Sequence, residues 1–253
     1  MRARFDSLAE DYADFVPDVP REFVLFVAKR LGLNPTDRVV ELGAGSGNLA
    51  IPLSQIVGHV AAVDVSAKML AIGSRSCGGK RVEWIQGDAA GFSYPLQSVD
   101  AVLSYGAFHL FNSPARVLSH VSMILRPGGA FCLGWSRYEW ESRLKLPILA
   151  VFKEFGIDWG PWEYSTCRGF ARTVRQARAN LSPPVYAILR VPSETSIERI
   201  AGFLANIDKT AGLDLDERDS LRRDLLKAFK RAGFNGVIRG ESDYGLKTVR
   251  RIR

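Results

Sequence analysis

The sequence predicts an α/β fold built around a parallel sheet. Two observations carry this. Between Arg38 and Ser136, short apolar and β-branched runs alternate with amphipathic segments, the pattern of repeated βα units. Of the 253 residues, 47% are apolar and 24% charged, enough for one large domain or a domain with a cap, and outside the range of disordered chains.

In chain order, Pro20–Leu31 sets Phe23, Phe26, Val27 and Leu31 at helical spacing, an N-terminal helix expected to cover a sheet edge. Strands are expected over Arg38–Glu41, His59–Asp64, Arg81–Gln86, Asp100–Ser104 and Ala130–Trp135. Ser66 is placed to cap a helix bearing Met69, Leu70 and Ile72 that stops by Gly78-Gly79. Ser113-Pro114 opens another, with Val117, Leu118, Val121, Ile124 and Leu125 on one face, before Pro127-Gly128-Gly129 ends it. Past Ser136, residues 137–182 carry Trp140, Phe152, Phe155, Trp159, Trp162, Tyr164 and Phe170 in helix-like and loop stretches. Val185–Val191 follows as a strand and Ser193–Asn206 as a capped helix. Asp216–Ala232 is a helix with Leu221, Leu225, Leu226 and Phe229 inward and Arg222, Arg223, Lys227, Lys230 and Arg231 mostly outward, and Tyr244–Arg253 has strand-like content.

Composition narrows the class. No run approaches the roughly 18 apolar residues that span a bilayer. The start Met1-Arg2-Ala3-Arg4-Phe5-Asp6 turns acidic before any signal-peptide core, so the chain is expected to be cytoplasmic, with no membrane partner. Cys77, Cys132 and Cys167 have neither disulfide-framework nor zinc spacing, and no metal is expected. The net charge of +7 lies wholly in the second half: residues 1–135 hold 12 charges of each sign, residues 136–253 hold 22 basic against 15 acidic.

The stretch with chemical content is Val39-Val40-Glu41-Leu42-Gly43-Ala44-Gly45-Ser46-Gly47-Asn48-Leu49, an apolar strand running into a glycine-rich turn and then a helix. Glycine lets backbone close tightly round a ligand, and a helix start offers unsatisfied amides. A dinucleotide fingerprint would need a third glycine where Asn48 stands, which leaves an NAD-dependent oxidoreductase as a remote alternative.

The pattern acidic-x-Gly-x-Gly-x-Gly, met by Glu41, Gly43, Gly45 and Gly47, resembles the class I S-adenosylmethionine-dependent methyltransferases. The resemblance spans most of residues 5–136. Asp64 closes the second strand in Ala61-Ala62-Val63-Asp64-Val65-Ser66 and matches the residue that accepts both ribose hydroxyls. Gly87-Asp88-Ala89 matches the adenine-binding turn, Val99–Ser104 the strand leading into the active site, and Leu125-Arg126-Pro127-Gly128-Gly129 the turn before strand five. Phe5-Asp6-x-x-Ala9-x-x-Tyr12 looks like the opening of the ubiquinone-biosynthesis-like, small-molecule branch, where the tyrosine folds over the cofactor's methionine end; an ordinary amphipathic helix explains it equally well.

The resemblance implies a Rossmann-like, seven-stranded, mostly parallel sheet with helices on both faces and a helical cap inserted after strand 5. The segments would be a lid (1–36), a cofactor-binding core (37–136), a cap and substrate-binding insertion (137–184) and C-terminal elements completing the sheet (185–253). It implies S-adenosyl-L-methionine as cofactor and S-adenosyl-L-homocysteine as product, held by Tyr12, Glu41, Gly43, Gly45, Gly47, Asp64, Val65, Met69, Asp88, Ala89 and Ser104.

Methyl transfer from a sulfonium is an in-line displacement, so positioning in a dry site dominates, and a base is needed only where the acceptor atom carries a proton. His109, five residues past strand four, is the best placed base, with Tyr105 its rival; in this branch an aromatic-His pair also serves to shape the pocket. His59 and His120 are expected to be structural. Trp135, Trp140, Trp159 and Trp162 lie at or beyond strand five, where an aromatic roof would suit an apolar or aromatic acceptor, or a cationic amine. No carboxylate cluster for metal-dependent catechol transfer is seen, nor the Asn/Asp-Pro-Pro-aromatic tetrapeptide of amino-methyltransferases. The expected substrate is therefore a small molecule, methylated on O, N or C. A nucleic-acid substrate is suggested only by pI ≈ 9.5 and by dispersed basic residues. Delivery by an acidic carrier protein docking on Arg222–Arg231 competes with a plain solvated helix face, and a fold member that binds the cofactor without transferring methyl is a further alternative.

Overall fold

The computed structural model describes residues 2–79, 81–158 and 165–252. Among them run strands β1 (Arg38–Leu42), β2 (His59–Asp64), β3 (Val82–Gln86), β4 (Val99–Tyr105), β5 (Leu125–Arg137), β6 (Val185–Ser196) and β7 (Val237–Arg250). The helices are α1 (Arg2–Phe15), α2 (Arg21–Leu31), α3 (Ala50–Leu53), α4 (Ala67–Ser76), α5 (Pro114–Ile124), α6 (Glu139–Arg143), α7 (Lys145–Glu154), α8 (Ser165–Gln176), α9 (Ile197–Ala205) and α10 (Leu215–Arg231).

The strands form one seven-stranded sheet in the order β3-β2-β1-β4-β5-β7-β6. β1 pairs in parallel with β2 and β4, β2 with β3, and β4 with β5. β7 runs the other way: Arg251 bonds Gly129, Thr248 meets Cys132, and Gly245 lies against Trp135, so its numbers fall as those of β5 rise. The order turns back between β1 and β4, which is where an open parallel sheet forms its ligand crevice.

Contacts divide the chain into two compact units. One holds Met1–Asp18, Arg137–Trp162 and Arg190–Asp243, the other Val19–Ser136, Glu163–Leu189 and Tyr244–Arg253. In the second unit, alternation along the strands loads both sheet faces. Val40, Ala61, Val63, Val102, Phe131 and Leu133 join Val117, Leu118 and Val121 of α5 and Phe170 of α8 in one buried cluster. The alternate positions Val39, Val60 and Leu103 are also buried, and on β4 and β5 this face receives Phe23 of α2, whose ring lies 5.4 Å from Tyr105. In the first unit, Leu144, Ile148 and Phe152 of α6–α7 pack with Ile200 and Leu204 of α9 and with Leu221, Leu225 and Phe229 of α10.

The structure departs from expectation in several places. The helix after the glycine-rich turn is only the four residues of α3, so it offers no strong N-terminal dipole. Leu125 starts β5 instead of ending α5, and Arg126–Gly129 is a bulge inside the strand, with the register shifting between Val99 and Ala101 of β4. The cap of α9 is Ser196, accepting from the Arg199 N–H at 3.1 Å, because Ser193 is engaged by the Ser242 hydroxyl at 2.8 Å. β7 begins at Val237, seven residues before the expected start. Leu226 is only half-buried. Segments 1–36, 137–184 and 185–253 each contribute to both units, with α8 in the same unit as residues 37–136.

Candidate functional site

The site is built from turns at the C-terminal ends of β1, β2, β3 and β4, all in the second unit. After β1 the chain bends back so that the Gly43 N–H bonds Val63 O at 2.8 Å. Asp64, the last residue of β2, ties the neighbouring turns together. One carboxylate oxygen accepts the Gly45 N–H and the other the Ser66 N–H, both at 2.9 Å, while its carbonyl accepts the Gly87 N–H, also at 2.9 Å. Ser66 caps α4 as expected, accepting from Met69 N–H at 3.2 Å, and buries Met69 beneath it. The Val65 carbonyl accepts from the Gln86 side chain at 3.2 Å.

The three glycines serve different ends. A Cβ on Gly43 would stand 2.4 Å from the Ala107 Cβ, so this glycine lets the β1 turn close against the β4 loop. A Cβ on Gly47 would meet Trp84 at 2.5 Å. Only Gly45 faces open space, with φ +56. Sequence reasoning missed Trp84, whose ring is wedged between Gly47 and Gly73. The signal was Gly73 itself, an isolated glycine inside a helix.

Asp88 is exposed at the end of β3, where its carboxylate accepts the Ala90 N–H at 2.8 Å and leaves one oxygen toward solvent; Ala89 is buried beside it. Ser104 is fully buried near the end of β4. Tyr105 follows, half-buried against Phe23, and His109 sits on a short 3₁₀ turn, Phe108–Leu110, with its side chain exposed. Tyr12 belongs to the other unit, its ring 6.2 Å from Phe203. Trp140 is 3% exposed, stacked on Tyr138 and set in the first unit's core, so its ring is packing and not an open roof. Trp159, Trp162 and Tyr164 lie outside the described residues. His59 approaches Glu83 at 3.3 Å, and burial, with Arg38 adding to it, holds its pKa below the usual range. His120 stacks edge-on against Phe92 and is likewise shifted down by burial. Among the described residues, no cluster of three or more His, Cys, Asp or Glu could hold a metal ion.

Glu41 is the electrostatic singularity. It is 2% exposed, and burial pushes its carboxyl well above the ordinary range, the charge of Asp64 adding to the shift and the Ala50 N–H opposing it. Its Oε2 and the Ser104 hydroxyl are both buried without a hydrogen-bond partner among the described residues. Buried polar atoms are rarely left so, and these two fit a ligand that brings donors. Because the folded-state pKa is raised, the stability linked to Glu41 is full below the unfolded carboxylate range and is lost as pH rises through the raised value. Glu41→Gln is therefore expected to raise the melting temperature of the ligand-free protein at neutral pH and to weaken cofactor binding. Thermal unfolding at about pH 5 and about pH 8, with and without S-adenosylhomocysteine, checks this; a variant less stable than the parent at both values overturns it.

Comparison with known proteins agrees with this geometry. Residues 39–129 match the family described as "Methyltransferase domain". The chain is 32% identical over 211 residues to a demethylmenaquinone methyltransferase of Renibacterium salmoninarum, covering 81% of each protein. It is 31% identical over 105 residues to a 2-phytyl-1,4-naphtoquinone methyltransferase of Synechocystis, 38% of this chain and 44% of the relative. Among solved structures, one described as a putative type II methyltransferase of Anaeromyxobacter dehalogenans superposes with a TM-score of 0.61 at 20% identity, covering 94% of this chain and 98% of the other.

Proposed function

Since the chain belongs to the class I, small-molecule S-adenosylmethionine-dependent methyltransferases, we propose that it methylates a small, apolar or aromatic acceptor of the quinone type, without a metal. The observation that carries the cofactor part of this reading is the Asp64 carboxylate fixed by the Gly45 and Ser66 amides beside the open space in front of Gly45. S-adenosylmethionine, when bound, supplies an electrophilic methyl on a good leaving group. Asp64 would orient the cofactor's ribose through its remaining lone pairs, and Glu41 and Ser104 would take its polar groups at the β1–β4 crevice. Asp88 keeps one carboxylate oxygen for the adenine, with Ala89, Val65 and Met69 as apolar neighbours. The acceptor class rests on the two quinone-methylating relatives.

Calorimetric titration tests the cofactor. S-adenosylmethionine and S-adenosylhomocysteine should bind without added metal, and tight NADH binding with no response to either would overturn the assignment. His109 is proposed as a pocket wall, consistent with its exposed side chain. His109→Ala should leave cofactor affinity within about threefold and mainly raise the acceptor's KM, whereas loss of a general base typically lowers kcat by about 10²–10⁴-fold. A loss of that size at saturating acceptor, unrepaired by His109→Gln, would make it a base; Tyr105 is then no longer needed in that role.

A further inference from the structure

The first unit carries a surface that methyl transfer does not use. The Arg143 guanidinium lies over the Phe234 ring at 5.4 Å and donates to the Arg239 carbonyl at 3.2 Å. These contacts bring the start of α7 to the end of α10. Around that junction Arg143, Lys145, Lys230 and Arg231 are all exposed, and Lys145, Lys230 and Arg231 pair with no acid among the described residues. Two apolar side chains of this unit are also left uncovered: Leu146, next to Lys145 on α7, at 78% exposure, and Val237, at the start of β7, at 41%.

We infer that this α7–α10 end is a docking surface for an anionic phospholipid bilayer. Cations that face solvent, with an uncovered leucine next to Lys145 on α7, match a headgroup layer with hydrocarbon beneath it. Nucleic acid would use the charges but offers Leu146 nothing. An acidic carrier lying along α10 fits less well, because much of that helix's charge is spent inside the unit: Arg222 sits over Phe15 at 4.6 Å, and Lys227 holds Asp224 at 2.9 Å. Arg239, at the same junction, is engaged by Glu194. No described helix is long and apolar enough to cross a membrane, so the contact is peripheral. It departs from the sequence-based expectation of no membrane partner, which followed from the absence of a span.

The test is sedimentation of the full chain with phosphatidylcholine vesicles, with and without phosphatidylglycerol at about a third of the lipid. Retention is expected only on the anionic vesicles and should fall steeply with salt. Each cation at such a surface contributes about fivefold, so the triple variant Lys145→Glu/Lys230→Glu/Arg231→Glu should lose at least about a hundredfold. Leu146→Asn should lose about five- to tenfold with its salt dependence unchanged, since it removes buried apolar area and no charge. Circular dichroism and thermal unfolding matching those of the parent show that the unit carrying the substitutions is folded. Equal retention on neutral vesicles, or variants that bind as the parent does, overturns the inference. So does failure to bind vesicles together with salt-sensitive retention on DNA or on an acidic protein.

Discussion

Replacing Asp64 with alanine is expected to weaken S-adenosylhomocysteine binding by roughly 1.5–3 kcal/mol, on the order of ten- to a hundredfold, the scale for losing charge-assisted hydrogen bonds to two hydroxyls. The structure adds a second consequence. The same carboxylate holds the Gly45 and Ser66 amides at 2.9 Å, so the ligand-free variant should also lose about 1–3 kcal/mol of stability as two donors are left without their acceptor. Asp64→Asn is no remedy, because its amide nitrogen must face one of those N–H groups. Isothermal titration measures the first loss and denaturant unfolding the second. If affinity falls while stability stays put, the backbone bonds are dispensable and Asp64 acts on the ribose alone. If affinity is unchanged, Asp64 is not in the cofactor site.

Much of this was legible from residue order. Strand ends at Asp64 and Gln86, and within one residue those at Leu42 and Tyr105, follow from β-branched runs closed by glycine or acid, and parallel pairing brings those ends to one edge whatever the distant chain does. Three kinds of feature were not legible. Tandem caps such as Ser193-Glu194-Thr195-Ser196 differ only in what occupies each hydroxyl, and that depends on Ser242 almost fifty residues away. Pro127-Gly128-Gly129 carries every local mark of a turn, yet a bulge accommodates it within β5. An apolar ring beyond strand five does not say whether it lines a pocket or fills a core, and Trp140 fills one. The division of 137–184 between two units has the same origin: α7 and α8 are both amphipathic, and which sheet face or helix each covers is decided by partners far along the chain.

Gly47→Ala is expected to destabilise the fold by about 2–5 kcal/mol, made up of about 1–2 for a left-handed backbone at an L-residue and about 1–3 for overpacking. The observed φ is +86, and the added Cβ would lie 2.5 Å from the end of the Trp84 ring and 3.1 Å from Ile51. The same ring edge also stands 2.3 Å from where a Cβ on Gly73 would be, so it already fills the room that both glycines leave. Gly45→Ala should behave oppositely. Its φ of +56 carries the backbone penalty, but nothing stands within 4 Å of the new methyl, so stability should fall by only about 1–2 kcal/mol while cofactor affinity drops more. At about 2–4 °C per kcal/mol for a chain of this size, the two variants should separate by several degrees in melting temperature. A double-mutant cycle isolates the steric part: Trp84→Ala, which alone opens a cavity, should be less damaging in the Gly47→Ala background by about 1–2 kcal/mol. Equal melting temperatures for Gly45→Ala and Gly47→Ala, with no coupling to Trp84, would mean that the motif's third glycine answers only to backbone geometry, and that the wedge of Trp84 does not explain it.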